Sequence, residues 1–387
     1  MTKVLSIAVV MDHAVSFNRQ VLAGIGDYAR RTSNWEIVPF LAEAKGLSAA
    51  RCRACDGLIG HLYSSTMADA ALKLGIPTVT VSGVLPEYPI PRVSADDIAV
   101  GRLAAGHFLD RGYSQFAFVG YQQFDFSQRR LAGFAQRLRE SGASTSELLL
   151  GTRKNANPGT DLLTSTPGLG NWILRQPRPL ALFAANAMIG FRASIACHEV
   201  GLRIPDQVAL LDVDNDELLT QLSSPPNSSV ALATHRMGYD GAHMLDRLIA
   251  GEKLQTTEII VPPIGVVVRQ STDVLAVKDE DIANAARYIR EQVCATLSAG
   301  DVAKFVAVSR TTLDRKFNQL VGHSLAEEIR RSRRERAKTL LASTDLSMAD
   351  VAEKSGYPGN IELSVDFRRN LKQTPTEYRQ KFRVPRV

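Results

Sequence analysis

The hydrophobic period of this chain changes near residue 277, and the change divides the fold in two. Before it, short apolar runs such as LSIAVV and LALFA alternate with amphipathic helical stretches, a pattern typical of buried parallel strands joined by crossover helices. The alternation begins again with a helix at 97–112. Two successive α/β units predict two lobes, with a ligand cleft at the carboxyl ends of their strands.

After residue 277 the pattern is helical throughout. Seven helices are predicted, at 280–294, 299–306, 309–320, 324–342, 347–354, 359–370 and 374–382. Residues that favour the N-cap position stand at the beginning of four of them: Ser298, Ser309, Ser347 and Thr374. Glu377 completes a capping box with Thr374. The polar stretch before the first of these helices is predicted to be a linker.

Two helix pairs in this part repeat each other. DVAKFVAVSRTTLDRKF begins at residue 301 and DVAEKSGYPGNIELSVDF at residue 350. Leu313 and Phe317 recur as Leu363 and Phe367, and the one extra residue of the second copy falls in the turn. Each copy, at 299–320 and 347–370, predicts a helix-turn-helix whose second helix is offered to the DNA major groove.

The excess positive charge lies in the same part. Residues 278–387 hold 21 Lys and Arg against 15 Asp and Glu. The difference of six positive charges equals the net charge of +6 of the whole chain. A basic segment attached to a neutral body is typical of a nucleic-acid-binding domain. In EEIRRSRRERAKTLL, between the two copies, the period places four apolar residues inward: Ile329, Ala337, Leu340 and Leu341. The same period places the five arginines of 330–336 outward, near DNA phosphates.

Several classes of protein are excluded by the sequence. The longest apolar runs are too short for a bilayer, and Asp12 interrupts the N-terminal run with no cleavage site after it, so a cytoplasmic protein with no membrane partner is expected. The cysteines, Cys52, Cys55, Cys197 and Cys294, are too scattered for a disulfide framework or a zinc site. GIGDYA lacks the third glycine of a dinucleotide fingerprint and lies in a helical pattern. No metal, cofactor or catalytic activity is predicted.

The first part resembles a known family. SADDIAVGRLAAGHFLDRGYSQFAFVGY, the R-x-x-G-F at 130–134 and VGLRIPDQVALLDVDNDELL are similar to the sugar-sensing domain of LacI/GalR regulators, which is related to periplasmic binding proteins. LSSPPNSSV and the N-R-Q before GIGDYAR are closer to the xylose-operon regulators. The resemblance covers residues 4–272 and implies two lobes joined by a hinge.

The resemblance also implies which residues face the cleft. They are Asp12, His13 and Phe17 in the loop after the first strand, then Arg130, Asn186 and Asp214. Carboxylates and Arg suit pairs of sugar hydroxyls, and an aromatic face suits the apolar side of a sugar ring. Where the family usually has Asn-Asp, this chain has Asn186-Ala187, so the expected effector is left open between another sugar, a more apolar or anionic molecule, and none.

The helical part resembles the AraC/XylS DNA-binding domain over residues 280–383, through VSRTTLDRKF, RRERAKTLL, SMADVAEKSGY and TPTEYR. The resemblance implies that the following residues face DNA: Arg310, Thr311, Asp314 and Arg315 in the first copy, and Asn360, Glu362 and Ser364 in the second. The second copy departs from the family at Ile361, Val365 and Lys372. These departures favour apolar contact and phosphate anchoring over polar base recognition in that copy.

The sequence therefore predicts an α/β two-lobed sensor domain at 1–275 and an all-α tandem helix-turn-helix domain at 276–387. The predicted function is a ligand-responsive activator of a carbohydrate-utilisation operon. Its expected partners are double-stranded operator DNA, RNA polymerase, a sugar-like effector and a second copy in a homodimer. Two alternatives remain: an orphan regulator with a degenerate pocket, and a sugar-binding protein with a vestigial DNA domain. A further class, an enzyme fused to a DNA-binding domain, would need clustered cysteines, and the four cysteines of this chain are not clustered.

Overall fold

The computed structural model describes residues 4–32, 34–40, 47, 50–151, 168–273, 279–293 and 297–382. The predicted domain boundary at 275/276 lies outside these residues, as does Cys294. Within the described ranges, no helix is both long and apolar enough to cross a membrane.

Strands and helices alternate through the first 273 residues, as the hydrophobic period predicts. The strands are β1 (Leu5–Val10), β2 (Trp35–Phe40), β3 (Gly57–Gly60), β4 (Thr78–Thr80), β5 (Arg92–Ala95), β6 (Gln115–Tyr121), β7 (Ser146–Leu150), β8 (Leu180–Ala184), β9 (Val208–Val213), β10 (Ser228–Ala231), β11 (Glu258–Val261) and β12 (Gly265–Val267). The helices are α1 (Ser16–Thr32), α2 (Ala50–Arg53), α3 (Ser65–Leu72), α4 (Asp97–Leu109), α5 (Asp125–Arg139), α6 (Leu169–Leu174), α7 (Ala187–Glu199), α8 (Glu217–Leu222) and α9 (Thr234–Ile249), and a 3-10 turn follows at Gln270–Thr272.

The strands form two six-stranded sheets, one in each lobe. The first has the order β11-β5-β4-β3-β1-β2 and the second β12-β10-β9-β8-β6-β7. Every strand pair is parallel except β10 with β12. The chain crosses between lobes three times, after β5, after β10 and after β11. The lobes are therefore not two consecutive units, because α9 and β11 return to complete the first one.

Glycines allow two helix pairs to cross closely. A Cβ on Gly24 in α1 would lie 1.9 Å from the carbonyl oxygen of His235 in α9, and one on Gly238 would lie 2.0 Å from that of Val21. Gly101 and Gly133 bring α4 and α5 together in the same way in the second lobe. GIGDYA is thus a helix-packing segment, as its position in a helical pattern predicts.

The last part of the described chain is helical. Its helices are α10 (Glu280–Glu291), α11 (Ala299–Phe305), α12 (Arg310–Val321), α13 (Leu325–Ser343), α14 (Met348–Lys354), α15 (Asn360–Leu371) and α16 (Pro375–Phe382). All seven predicted helices are present, and their ends agree with the prediction to within three residues. Ser298 and Ser347 form capping boxes with Asp301 and Asp350. A third capping box, the one predicted from the sequence, is formed by Thr374 and Glu377, whose two hydrogen bonds measure 2.6 and 3.1 Å.

The four apolar residues predicted to face inward on α13 are buried, and Arg330 and Arg336 are exposed as predicted, but the outward placement of Arg334 is wrong. Arg334 is only 7% exposed. It pairs with Glu327 at 3.3 Å on its own helix and with the buried Asp366 of α15 at 3.2 Å. Arg333 donates to the carbonyl oxygen of Leu297 at 2.9 Å. The charged run alone does not predict such partners, because Asp366 and Leu297 lie in segments distant in sequence.

The helical domain contacts both lobes. Arg331 of α13 pairs with Asp110 at the end of α4, in the second lobe. Arg236 of α9, in the first lobe, donates to the carbonyl oxygen of Gln380 in α16 at 3.1 Å. The helical domain is therefore held against both lobes by side-chain contacts.

Candidate ligand cavity and DNA-binding surface

A cavity that is partly open to solvent lies between the lobes. Its walls come from the carboxyl ends of strands in both sheets, where α/β sheets bind ligands. His61 follows β3 and Ser82 follows β4 in the first lobe, while Asn186 follows β8 and Asp214 follows β9 in the second. Both lobes thus contribute polar side chains to one space.

Arg130 is the charged centre of the cavity. It is buried, and its Nε donates to the carboxylate of Asp97 at 2.8 Å, while its Nη1 donates to the carbonyl oxygen of Ala185 at 2.5 Å and lies 4.0 Å from Asp214. Burial raises the pKa of Asp97 to about 6, although the nearby guanidinium acts against that rise. Arg130 is therefore held in one orientation between two carboxyl groups.

Asp214 occupies a strained turn. Its φ is 88°, and that of Asn215 is 50°, a left-handed conformation that costs a residue with a Cβ about 1 to 2 kcal/mol. Burial raises the pKa of the Asp214 carboxyl group, and Arg130 and a backbone hydrogen bond from Ala187 act in the opposite direction. Backbone strain of this kind persists where the surrounding structure fixes it, and it concentrates at ligand sites.

Asn186 has a structural as well as a cavity-facing position. Its Oδ1 accepts a hydrogen bond from the backbone N–H of Ile189 at 2.9 Å, which caps α7, and its Nδ2 lies 3.5 Å from the hydroxyl oxygen of Tyr121. Ala187, at the position where the resemblance implies Asp, is the first residue of α7 and is buried.

Apolar and aromatic groups form the rest of the wall, including Phe17, Phe126, Val84 and Met237. The Phe126 ring lies under the guanidinium of Arg130, at 4.9 Å. The rings of Phe17 and His61 are 5.5 Å apart. Burial lowers the pKa of His61 to about 4, and its Nδ1 lies 2.8 Å from the Oδ1 of Asn18. His61 is therefore neutral at pH 7.

Of the six residues implied for the cleft, four line this cavity: Phe17, Arg130, Asn186 and Asp214. Asp12 and His13 lie in the loop before α1, outside the lining. Asp12 accepts a hydrogen bond from the backbone N–H of Ala14 at 2.9 Å, so it shapes the loop that leads to Phe17. Their proposed contact with a ligand stays a prediction.

Four polar or aromatic residues of the lining were not predicted from the sequence: His61, Ser82, Asp97 and Phe126. Two of them had a signal, since His61 directly follows the DGLIG strand and Ser82 lies just beyond the TVT strand. Asp97 and Phe126 begin helices, and nothing local distinguishes them from other helix-start residues.

The first helix-turn-helix exposes most of its implied contact residues. Arg310, Thr311 and Arg315 are exposed on α12, whereas Leu313 and Phe317 are buried. Asp314 is half-buried, and its Oδ1 accepts a hydrogen bond from the backbone N–H of Leu325 at 3.3 Å. Asp314 thus also caps the connecting helix.

In the second copy, Asn360 and Glu362 are exposed on α15 and Ser364 is half-buried. Lys372 ends α15 with a φ of 57°, where Gly322 ends α12 with a φ of 84°. The two copies therefore close their second helices with the same backbone geometry and different residues.

Metal and thiol chemistry find no support in the described residues. In these ranges, no three His, Cys, Asp or Glu side chains are placed to hold a metal ion. Cys52, Cys55 and Cys197 are buried, and burial raises the pKa of Cys52 to about 11. Cys52 is thus a buried thiol.

Comparison with known proteins agrees with this architecture. Residues 105–272 match a family described as a periplasmic binding protein-like domain, and residues 302–381 match a helix-turn-helix domain. The Xylose operon regulatory protein of Haemophilus influenzae is 28% identical over 384 residues, which cover 96% of this chain and 97% of that protein. The protein of the same name from Escherichia coli strain K12 is 27% identical over 382 residues, 94% of each chain.

Solved structures give the same result. The solved structure of the xylose-binding transcription activator xylR aligns with this chain at 26% sequence identity and a TM-score of 0.62. The alignment covers 98% of each chain. A periplasmic binding protein/LacI regulator from Alkaliphilus metalliredigens complexed with D-xylulofuranose is 17% identical and covers 69% of this chain and 98% of that one, with a TM-score of 0.56; it shares the fold of the two lobes. The predicted fold class, a two-lobed sensor followed by a helix-turn-helix domain, is confirmed.

Proposed function

We propose that this chain, a helix-turn-helix transcriptional regulator with a periplasmic-binding-protein-like sensor, binds a neutral sugar or similar polyol between its lobes. This ligand controls the action of the regulator on a carbohydrate-utilisation operon. The observation that carries the proposal is the group of Asp97, Arg130 and Asp214 beside the aromatic wall of Phe17 and Phe126. Fixed charged groups bind pairs of hydroxyls, and aromatic rings cover the C–H face of a sugar.

The charge of the cavity favours a neutral ligand over an anion. Its ionisable lining consists of Asp97, Asp214, Arg130 and a neutral His61. One guanidinium already faces two carboxyl groups, so a sugar acid would bring a third acidic group without a free cation in this lining. Hydroxyls can donate to the carboxylates and accept from Arg130, and they therefore suit the lining better.

Ligand binding would reach DNA through lobe closure. A ligand shifts the open and closed populations only through unequal affinity for the two forms. Because the helical domain touches both lobes, closure would reposition it. We further propose a cytoplasmic homodimer whose tandem motifs occupy neighbouring half-sites of operator DNA and which activates RNA polymerase, with the domains divided at residue 275.

A thermal-shift screen tests the sensor. D-xylose, other neutral pentoses and hexoses, and sugar acids would be added to the full-length chain. A neutral sugar that binds is expected to raise the unfolding temperature, and the rise should grow with the logarithm of its free concentration above Kd. Arg130→Gln should abolish that shift. No shift with any compound would favour the orphan regulator, and a shift with sugar acids alone would contradict the neutral-ligand proposal.

A gel-shift titration tests the DNA-binding residues. Arg315→Ala should abolish specific binding at one half-site, because Arg donates a bidentate pair to guanine O6 and N7. Arg203→Ala removes an exposed arginine of the sensor domain and serves as the matched control. Equal operator affinity of Arg315→Ala and the control would contradict the assignment.

A further inference from the structure

Two aliphatic side chains on α15 are exposed to solvent. Ile361 is 75% exposed and Val365 is 59% exposed, and Ile361 is the most exposed large hydrophobic side chain among the described residues. They are four residues apart, so they lie on the same face of the helix. The opposite face is buried through Leu363 and Phe367. Water-exposed apolar groups grouped in this way indicate a surface that contacts a partner.

The repeat shows which face this is. A shift of 50 residues superposes Leu313 and Phe317 on Leu363 and Phe367 in the sequence, and all four are buried. The same shift places Ile361 at the position of Thr311 and Val365 at that of Arg315, and both first-copy residues are exposed on α12. The face that carries polar side chains in the first recognition helix is aliphatic in the second.

We propose that Ile361 and Val365 recognise the C5-methyl groups of thymines in the major groove at the half-site bound by the second copy. This inference rests on the proposed DNA-binding function. Among the base edges in the major groove, thymine alone offers an apolar group, whereas the other positions present hydrogen-bond donors and acceptors. An aliphatic face at the base-contacting positions can distinguish thymine from cytosine by contact with that methyl.

The surroundings of the two side chains favour DNA over a protein partner. Arg368 and Arg369 are exposed one turn further along α15, and Asn360 is exposed at its start. A stable protein interface needs about 800 Å² on each partner, more than two aliphatic side chains supply. Cations beside a small apolar strip match a groove, in which phosphates flank the base edges.

The test removes the thymine methyl without changing base pairing. Duplexes bound by the full-length chain would be selected from a random-sequence library, and the half-site weakened by Arg315→Ala would be assigned to the first copy. Thymines would then be replaced by uracil, one half-site at a time. Uracil in the second half-site should lower affinity about fourfold for each methyl contact removed, whereas uracil in the first should have a smaller effect.

A double variant identifies the residues responsible. Ile361→Ala/Val365→Ala should bind the thymine duplex as weakly as the wild type binds the uracil duplex, and should no longer distinguish the two. Leu222→Ala trims a side chain that is 60% exposed on the sensor and should bind like the wild type. Both substitutions in the double variant are at exposed positions, so folding should be preserved.

Three results would overturn the inference. The first is equal affinity for thymine and uracil in the second half-site, and the second is a double variant that still distinguishes them. The third is a double variant that binds DNA normally but fails to activate transcription, which would assign the face to RNA polymerase. If the wild-type chain selected no duplex at all, the proposed DNA-binding function itself would fail.

Discussion

The hydroxyl of Tyr378 donates a hydrogen bond to the carbonyl oxygen of Ile264 at 2.5 Å. Tyr378 belongs to the last helix of the DNA-binding domain, and Ile264 lies in the segment that crosses between the lobes from β11 to β12. Burial raises the pKa of Tyr378 well above its usual range, so the hydroxyl stays protonated and keeps donating. The DNA-binding domain is thus attached directly to a segment that crosses between the lobes, which the proposed lobe closure would move.

Tyr378→Phe should weaken the link between effector and DNA. The variant keeps the ring packing against Phe367 and Phe382 and loses one hydrogen bond, so the free energy of unfolding should fall by only about 1 kcal/mol. The ratio of operator affinities with and without the effector should move toward one. Fluorescence anisotropy titrations with labelled operator, with and without the sugar found by thermal shift, would measure that ratio.

Tyr357→Phe provides the control for this prediction. Its hydroxyl donates to Asp366 at 2.8 Å inside the DNA-binding domain, and the removal of that bond should cost a similar free energy of unfolding without changing the effector ratio. A Tyr378→Phe variant that responds to the effector like the wild type would contradict the proposed link.

Asp214→Gly should lose ligand binding with little change in stability. Glycine adopts a φ of 88° without a Cβ clash, but the substitution removes the hydrogen bond that the carboxyl group accepts from the backbone N–H of Ala187, and the two effects should largely offset each other. Arg130 keeps its ion pair with Asp97 at 2.8 Å. The unfolding temperature without sugar should change little, while the shift caused by sugar should disappear. Asn215→Gly changes the neighbouring turn residue and should keep the shift; a ligand-induced shift retained in Asp214→Gly would exclude Asp214 from the site.

The fold of the sensor could be predicted as far as local patterns determine it. Apolar runs located the strands because buried parallel strands are apolar on both faces. The return of α9 and β11 to the first lobe was not predicted, because it depends on pairing between β11 and β5, more than 160 residues apart in sequence. Asp97 was missed for a similar reason: its partner, Arg130, lies on another helix.

In the helical domain, caps and the apolar period located each helix, since both act within one or two turns. The side chain of Arg334 was misplaced because its partner Asp366 lies 32 residues further along the chain. The exposure of Ile361 and Val365 agrees with their assignment as departures from the family pattern. Local signals thus predicted the elements, and the ion pairs between elements needed the structure.

Asp212 should make stability depend on pH. Burial raises its pKa to about 7, despite hydrogen bonds from Ser229 and Asn227 that lower it, whereas an unfolded Asp titrates near 3.9. Between about pH 4 and 7 the folded chain holds a proton that the unfolded chain has released, so the free energy of unfolding falls as pH rises through this window, by up to about 1.4 kcal/mol per pH unit. Asp212→Asn removes that dependence.

Urea denaturation at pH 4.5 and pH 8 would measure the effect of Asp212. The free energy of unfolding of Asp212→Asn minus that of the wild type should be larger at pH 8 than at pH 4.5. Asp206→Asn changes an exposed carboxylate and should show little difference between the two pH values. If this difference in the free energy of unfolding did not vary with pH, Asp212 would have to be ionised in the folded state over the whole pH range measured.

Lys372→Gly should stabilise the DNA-binding domain. Lys372 adopts a φ of 57° at the position where the first copy has Gly322, at 84°. Relief of this conformation should exceed the entropy cost of glycine and raise the free energy of unfolding by about 0.5 to 1 kcal/mol. The substitution also removes a hydrogen bond from the lysine Nζ to the carbonyl oxygen of Arg369 at 3.0 Å, but this bond is exposed to water and its removal should cost little.

Gly322→Ala is the reciprocal change and should destabilise the domain by about 1 kcal/mol. Both effects would appear as shifts of the urea midpoint of the full-length chain. A lower midpoint for Lys372→Gly than for the wild type would show that the lysine side chain contributes more to stability than its backbone conformation costs.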